Sequence, residues 1–338
     1  MAQTTGFRPT VALAMGDPAG ISPELTARLV ALEDARAAAR MIVIGDRRVF
    51  DAGAAIGGVT VELDVVDGGD TLPTKGDRPV FVDLGHLDPA TIVRGVAARE
   101  GGQYALANYR YALRLVADGR AHAVCFTPFN KQAMRLADPS YDDEIGFTAG
   151  VLGTTGPATE FNILEGLWNA RVTSHVPMAA VPALLNVDAI VNALELTATA
   201  LRAAGFEPPR IAVAALNPHA GDGGNFGREE IDIIAPAVAR AKARGIGAEG
   251  PFPADTVFVR ARRGDFDAVL TMYHDQGQIA MKLMGFDRGV TLLGGFPFPI
   301  CTPAHGTAYE IAGKGIANLG ATQAALLLAA EMARRSRS

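Results

Sequence analysis

The chain has 338 residues, 49% of them hydrophobic and 20% charged, a composition typical of a globular protein with enough apolar material for two cores. Its formal net charge of −5 argues against a nucleic-acid partner or an anionic membrane surface. No apolar run reaches the roughly 20 residues that span a bilayer, and the first residues do not resemble a secretory signal, so we expect a cytoplasmic protein. Cys125 and Cys301 are too few for a disulfide framework and are expected to be small buried side chains.

Short apolar runs bounded by turn residues alternate along the chain with longer segments of helical spacing. The predicted strands are Val11–Met15, Met41–Ile44, His122–Phe126, Ile211–Ala215 and Ala268–Met272. The predicted helices are Glu24–Leu32, Gln103–Ala117, Ile190–Ala204, Glu229–Ala243 and Ala321–Arg334. Because strands and helices alternate, the sequence predicts an α/β fold with a mostly parallel sheet that is covered on both faces.

Two breaks in this pattern suggest two domains. Asp138-Pro139-Ser140 and the acidic run Asp142–Glu144 suggest a boundary near residues 130–141, and Gly294–Pro299 suggests a return of the chain to the first domain. We therefore predict a first domain of residues 1–130 plus 297–338, carrying both termini, and a second domain of residues 131–296.

The segment Gly16–Glu24 follows the first predicted strand directly. Asp17-Pro18 and Gly20 predict a tight turn, and Ser22 or Pro23 begins the next helix. Since helix N-termini attract anions, this loop faces either a substrate or a cofactor phosphate, or is an ordinary strand-to-helix connection.

Three of the six histidines share one setting. His175, His219 and His274 each follow an apolar, strand-like run and precede Pro, Gly or Asp, which places them at the carboxyl edge of a parallel sheet, where ligands bind. Three neutral imidazoles that leave an open position are the usual ligands of a catalytic Zn²⁺ or similar ion. Asp275 or Asp222 would then fix an imidazole tautomer. The alternative is that each histidine is a hydrogen-bonded loop residue. His86 and His122 lack this setting and are expected to be structural.

Residues 305–318 place three polar side chains, His305, Glu310 and Asn318, among glycines that let backbone approach a ligand. An acidic side chain accepts hydrogen bonds from both ribose hydroxyls and repels a 2′-phosphate, so Glu310 favours NAD over NADP. The alternative is an ordinary glycine-rich loop that leads into a helix. The segment resembles the adenosine-binding loop of isopropylmalate and isocitrate dehydrogenases.

Motifs along nearly the whole chain resemble the 4-hydroxythreonine-4-phosphate dehydrogenase family. They are Ala14–Glu24, Thr127–Lys131, Asn217–Gly224, Pro253–Thr256, Tyr273–Gly277 and His305–Ala308. The resemblance implies an isopropylmalate-dehydrogenase-like fold of two α/β/α domains with an active-site cleft between them. It also implies a homodimer, joined through the second domain, in which His175 and His219 of one subunit meet His274 of the other around a divalent metal, with Zn²⁺ as first candidate. NAD would lie over the 305–318 loop, with Asn217 as a further cofactor-binding residue.

The resemblance implies NAD-dependent oxidation of a hydroxyl that is β to a carboxylate, followed by decarboxylation. A bound metal lowers the pKa of the substrate hydroxyl and stabilises the carbonyl that forms. The proton acceptor stays open among Lys131, Asp255 and Asp275.

The substrate-binding positions that match the family are Thr148, Lys282, Thr291 and Ile300, and several depart from its pattern. The family's Gly-His-Thr-Glu motif is here Gly146-Phe147-Thr148-Ala149. Thr291 and Ile300 stand where an Asn and an Arg of the family grip the substrate phosphate. Ile300 cannot replace an Arg–phosphate pair, which contributes about 1.5–3 kcal/mol per contact.

These departures, together with Phe147, Phe296 and Phe298, favour a flatter substrate that carries carboxylates. The alternative for the three Phe residues is plain core packing. The best prediction is therefore a terephthalate cis-dihydrodiol dehydrogenase that gives protocatechuate, an enzyme of aromatic compound degradation. The alternative is the parent activity on 4-phosphohydroxythreonine or another four-carbon phosphorylated hydroxy acid, with Arg288, Lys131 or Arg171 binding the phosphate. A non-catalytic nucleotide or metal sensor and an acyl- or phosphotransferase of related fold are further alternatives.

Overall fold

The computed structural model describes residues 7–69, 71–73 and 76–337. Residues 1–6, on which the expectation about a signal sequence rests, lie outside this range. The chain folds into two compact units: one comprises the described residues up to Gly156 and from Phe296 onward, and the other is Pro157–Gly295. Residues 131–156, which the sequence assigned to the second domain, pack in the first unit, where the Thr148 hydroxyl is hydrogen-bonded to that of Tyr109.

The first unit contains a wholly parallel sheet in the order β3-β4-β2-β1-β5-β12. Its strands are β1 Thr10–Ala14, β2 Arg40–Gly45, β3 Asp64–Asp67, β4 Val80–Asp83, β5 Ala123–Phe126 and β12 Ile300–Pro303. Its helices are α1 Ser22–Ala31, α2 Glu33–Ala38, α3 Arg47–Gly57, α4 Arg99–Ala117, α5 Lys131–Ala137, α6 Glu144–Leu152 and α12 Gly320–Arg335, with 3₁₀ turns at Pro89–Thr91 and Tyr309–Ile311. The central strand β1 is buried along its whole length, as expected of a parallel strand covered on both faces.

The second unit contains a mixed sheet in the order β11-β6-β7-β10-β8-β9. Its strands are β6 Thr159–Leu164, β7 Leu167–Arg171, β8 Ile211–Ala214, β9 Ala248–Phe252, β10 Ala268–Thr271 and β11 Val290–Gly294. Strands β7, β10, β8 and β9 are parallel, whereas β6 pairs antiparallel with both β7 and β11. The helices are α7 Val181–Leu184, α8 Val187–Ala203, α9 Ala235–Ala243, α10 Ala254–Arg262 and α11 His274–Gly285. Short turns lie at Met178–Ala180, Pro218–Gly224 and Phe286–Arg288, and a π-helical turn at Glu230–Ile234 leads into α9.

The α/β class and the mostly parallel sheet predicted from the sequence are confirmed. Each predicted strand corresponds to an observed one, and each predicted helix to an observed helix, the segment Glu229–Ala243 being divided between a π-helical turn and α9. Cys125 and Cys301 are both fully buried free thiols, and they are register partners on β5 and β12. No single helix in the described part of the chain has the length and apolarity to cross a bilayer, although the bent pair Met178–Leu184 and Val187–Ala203 meets that criterion together.

Candidate active site

The three histidines singled out in the sequence lie at one edge of the second unit's sheet. His175 follows β7, His274 begins α11 directly after β10, and His219 follows β8. These strands are parallel neighbours in the order β7-β10-β8, so their carboxyl ends meet at the same edge. The fold therefore brings three chain segments that are distant in sequence to one edge of the sheet.

His175 and His274 form the closest pair. Their ring centroids are 5.6 Å apart, and both side chains line a cavity of about 170 Å³ together with Ser174, Tyr273 and Asp275. His274 Nδ1 lies 2.7 Å from Asp275 Oδ1. A carboxylate only accepts hydrogen bonds, so this contact keeps the proton on Nδ1 and leaves the lone pair of Nε2 for a ligand. His175 has φ +46°, a left-handed conformation that is strained for a residue with a side chain.

His219 lies in a loop of unusual backbone geometry. All residues from His219 to Gly223 have positive φ. The buried carboxylate of Glu230 holds the start of this loop: Oε1 accepts from the backbone N–H of Leu216 at 2.9 Å and of Asn217 at 2.8 Å. Its Oε2 accepts from Asn217 Nδ2 at 3.0 Å. Glu230 did not stand out in the sequence, and Asn217, predicted to bind cofactor, has its amide engaged by Glu229 and Glu230.

The described residues of one chain provide part of a metal site. Among the described residues, no group of three His, Cys, Asp or Glu side chains converges to hold an ion. What one chain provides is the His175–His274 pair with the carboxylate of Asp275 behind it. Imidazoles oriented by a carboxylate are a donor set that suits Zn²⁺ and related divalent ions, and a third ligand from elsewhere would complete it.

A buried polar network links the segment that carries His175 to the helix that carries His274. The side chain of Arg171 is 2% exposed and donates to Glu160 Oε2 at 2.6 Å, to Asn162 Oδ1 at 2.6 Å and to Ser174 Oγ at 2.9 Å. Gln278, one turn after His274 in α11, donates to the same Asn162 oxygen at 2.5 Å. Ser174 directly precedes His175, so Arg171 fixes the side chain next to that histidine. The sequence had placed Arg171 only among possible phosphate ligands.

In the first unit, the 305–318 loop is fastened to α1. The backbone N–H of Ile21 donates to the carbonyl of Thr307 at 3.1 Å, and that of Gly315 donates to Glu24 Oε2 at 2.9 Å. Arg28 Nη1 donates to the carbonyl of Ala317 at 2.6 Å. The motif Gly16–Glu24 and the 305–318 loop, nearly 300 residues apart in sequence, thus form one local structure.

The three candidate cofactor residues of this loop differ in their surroundings. Glu310 is exposed within a 3₁₀ turn. Asn318 Oδ1 accepts from the N–H of Gly320 at 2.8 Å at the start of α12, so its side chain also serves the fold. His305 Nδ1 lies 3.1 Å from the carbonyl of Gly306, and its Nε2 is buried without a partner in the described structure. Burial lowers the pKa of His305, which favours a neutral imidazole.

The candidate proton acceptors are placed as follows. Lys131 begins α5, and its Nζ lies 3.2 Å from Glu144 Oε2, a largely buried carboxylate. Asp255 is exposed in the first turn of α10. Asp275 is occupied by His274. Among the three, Lys131 combines a charged partner with partial burial.

The candidate substrate residues fall into two groups. Thr148 and Ile300 are both 0% exposed, Thr148 with its hydroxyl 2.6 Å from that of Tyr109 and Ile300 within β12, so neither offers surface to a ligand in the described chain. Lys282 is exposed on α11, and Thr291 is half-buried on β11 beside Asn162. The ring of Phe147 stacks on Tyr109 with centroids 5.6 Å apart.

Comparison with known proteins shows relatives along nearly the whole chain. A protein of Rhizobium meliloti (strain 1021), provisionally named 4-hydroxythreonine-4-phosphate dehydrogenase 2, is 63% identical over 332 residues, 98% of this chain and 95% of that protein. A protein of Symbiobacterium thermophilum, provisionally named D-threonate 4-phosphate dehydrogenase, is 36% identical over 96% of this chain and 97% of that protein. The crystal structure of 4-hydroxythreonine-4-phosphate dehydrogenase from Klebsiella pneumoniae has a TM-score of 0.83 at 34% identity, covering 96% of this chain and 99% of that chain.

The branch expected from the substrate positions is a more distant neighbour. The crystal structure of a terephthalate 1,2-cis-dihydrodiol dehydrogenase from Burkholderia xenovorans LB400 has a TM-score of 0.63 at 29% identity, covering 93% of this chain and 94% of that chain. The relatives of high identity therefore do not support the dihydrodiol as substrate and favour the alternative. The family model of the pyridoxal phosphate biosynthetic protein PdxA matches residues 37–329. Its relatives are named as dehydrogenases, and the chain belongs to this family.

Proposed function

We propose that the protein is an NAD- and divalent-metal-dependent dehydrogenase that acts on a four-carbon 4-phosphorylated hydroxy acid. It oxidises the hydroxyl β to the carboxylate, and the product then loses CO₂. The observation that carries the proposal is the placement of His175, His274 and His219 at the carboxyl ends of three adjacent parallel strands. The names of the relatives, 4-hydroxythreonine-4-phosphate and D-threonate 4-phosphate dehydrogenase, support this substrate class.

When bound, the metal supplies a Lewis acid for the substrate hydroxyl, and NAD supplies the hydride acceptor. Asp275 keeps the Nδ1 proton on His274, so that Nε2 would be available to hold the ion. Glu230 holds the start of the loop that presents His219. Lys131, paired with Glu144, is the residue that we assign to proton transfer.

The phosphate end of this site differs from the pattern expected of the family. Lys282 and Thr291 occupy family substrate positions with polar groups, whereas Ile300 is buried. Arg171 is bound by Glu160, and Arg288 lies 3.3 Å from the exposed carboxylate of Glu165. Lys282 matches a substrate position of the family, and we assign this cation to the substrate phosphate. One cation in place of an Asn and Arg clamp predicts weak binding, and hence a high KM, for phosphorylated substrates.

We also propose that the active enzyme is a homodimer whose subunits share metal ligands. Within the described residues of one chain no complete ligand set converges. The helix that begins with His274 exposes two large apolar side chains, Ile279 at 61% and Leu283 at 84%, and Met178, close to His175, is 60% exposed. An apolar surface next to an incomplete metal site is what a shared site between two copies would show.

The test is NADH formation by protein that has been stripped with a chelator and reconstituted with Zn²⁺, Mn²⁺ or Co²⁺. The substrates are 4-phosphohydroxythreonine, D-threonate 4-phosphate, their unphosphorylated forms and terephthalate cis-dihydrodiol. We expect metal-dependent turnover of a phosphate ester, with loss of activity in His219→Ala and retention in the surface control Arg228→Ala. Turnover of the dihydrodiol alone would keep the reaction class but overturn the substrate class. Absence of NADH with every metal and substrate would overturn the proposal.

A further inference from the structure

The first unit has a cavity at the amino ends of its parallel strands. Thr10, Arg40 and Val80, which are the first residues of β1, β2 and β4, all line it, and its volume is about 320 Å³. The Gly16–Glu24 motif and the 305–318 loop instead follow the carboxyl ends of β1 and β12. Because these strands are parallel, the cavity lies at the opposite edge of the sheet from the motif and the loop. It is therefore separate from the part of this unit that carries the candidate cofactor residues.

The charged part of the cavity wall is cationic. Arg40, Arg78 and Arg120 line the cavity, and no carboxylate does so among the residues that the structure describes. Arg78 Nη2 lies 2.7 Å from Glu62 Oε2, but the two side chains are 59% and 75% exposed, so water screens this ion pair. Arg40 Nη2 donates to the carbonyl of Pro73 at 3.3 Å, and Arg120 is exposed in the turn that follows α4. A cavity lined by three guanidinium groups, in a chain of net charge −5, indicates a local site for an anion.

The remaining wall is largely apolar, with Met41, Ile42, Leu72 and Val80 as buried members. A cavity of about 150 Å³ holds a benzene ring, so this one has room for a ring together with an anionic group. Guanidinium groups bind both carboxylates and phosphates. A phosphate monoester, however, offers three terminal oxygens and up to two negative charges, which suits three cations better than a single carboxylate does. We propose that the cavity binds a small organic phosphate, whose phosphate contacts the arginines and whose carbon skeleton lies on the apolar wall.

The test is calorimetric titration of the full-length protein with phenyl phosphate, benzoate and inorganic phosphate. Phenyl phosphate combines the dianion with an apolar ring, whereas benzoate carries a carboxylate in place of the phosphate and inorganic phosphate lacks the ring. We expect phenyl phosphate to bind at least about tenfold more tightly than either of the other two, the effect of one charge-assisted hydrogen bond or of burial of part of the ring. Its affinity should fall as salt is raised, because ions screen the exposed arginines.

Four variants locate the binding. Arg120→Met and Arg78→Met each remove one charge at an exposed position of the wall, and each should weaken phenyl phosphate about tenfold. Arg114→Met removes the same charge from an exposed position of α4 and should leave the affinity unchanged. Lys282→Met, at the position assigned to the substrate phosphate, should also leave it unchanged, so this proposal can fail separately from the proposed reaction.

Several results would overturn the proposal. They are no binding of phenyl phosphate, equally tight binding of benzoate or inorganic phosphate, and full affinity in both Arg120→Met and Arg78→Met. An equal loss in Arg114→Met would also overturn it, because any surface cation would then serve. A loss in Lys282→Met alone would place the phosphate at the substrate position instead of in the cavity.

Discussion

The Glu160–Arg171 pair allows stability and metal positioning to be measured separately. Arg171→Met would leave the carboxylate of Glu160, which is 16% exposed, without its cation, and would remove the donor that holds Ser174. Breaking a buried ion pair from one side costs about 3–5 kcal/mol, and partial exposure of Glu160 places the expected loss near the lower end. Replacing both residues, in Glu160→Leu/Arg171→Met, removes the unpaired charge and should recover most of that loss.

Recovery of stability should not restore metal binding. The double variant still lacks the contact from Arg171 to the Ser174 hydroxyl, so the side chain that precedes His175 is no longer held. Loss of an outer contact of this kind lowers metal affinity about 10–100-fold. The double variant is therefore expected to be close to the wild type in stability and clearly weaker in Zn²⁺ binding.

The chain offers a local probe for this experiment. Its single tryptophan, Trp168, is buried on β7, next to Asn169, which is the register partner of Asn162 on β6, and it lies in the same unit as Arg171. Urea unfolding followed by tryptophan fluorescence thus reports on the second unit, and equilibrium dialysis gives the metal affinity. If the double variant is as unstable as Arg171→Met, the buried-charge argument is wrong. If it keeps wild-type metal affinity, Arg171 has no positioning role.

Three further predictions follow from contacts described above. Asp275→Asn should weaken Zn²⁺ binding about 10–100-fold in equilibrium dialysis, because the carboxylate that fixes the tautomer of His274 is lost. Leu283→Glu should shift the protein from dimer to monomer in light scattering, since a charge enters the exposed apolar face of α11. The pKa of His122 is lowered from 6.5, mainly by burial and further by Arg337. The neutral ring therefore contributes stability above about pH 6.5, and this contribution is lost as the pH falls through the folded-state pKa. Protonation removes the Nδ1 acceptor of the Thr10 N–H, so exchange of that amide should accelerate on acidification.

Each of these has a matched control. Asp265→Asn, at the surface of the same unit, should leave Zn²⁺ binding unchanged; an equal loss there would contradict the role of Asp275. Ile231→Glu places the same charge at another exposed apolar residue and should leave the oligomer intact. For His122, the amide of Val11, which lies next to Thr10 in β1, should show no matching acceleration; a common change would indicate global unfolding instead.

The parts of the fold that were predicted are those with local signals. Strands β1, β5 and β10 are continuous apolar runs because both faces are covered, and such runs are visible in sequence. Strands β6 and β7 were not predicted: their inner face carries Asn162 and Arg171, which are buried only because they pair with each other and with Glu160. Burial of polar residues depends on partners that a sequence pattern does not show.

The candidate site divides in the same way. The histidines were found because each follows a strand, which is a local property. Glu230 was not found, and Glu24 was noted only as part of a motif, since each binds backbone outside its own segment: Glu24 binds Gly315, and Glu230 binds Leu216 and Asn217. The sequence comparison set Ile300 against the family's Arg, whereas its complete burial in β12 follows from pairing with β5. The sequence thus names the positions that depart from the family's pattern, whereas their burial and partners follow from the fold.

The attachment of the 305–318 loop to α1 has a consequence for how coenzyme preference can change. The anchoring bonds, to Ile21, Glu24 and Arg28, engage the backbone of Thr307, Gly315 and Ala317, whereas Glu310 lies exposed between them. If NAD binds here as proposed, substitution of Glu310 would alter the charge offered to its ribose without touching any anchor. Selection could therefore exchange one coenzyme for another here by single substitutions at little cost in stability, while most changes to the anchors would be removed as folding defects.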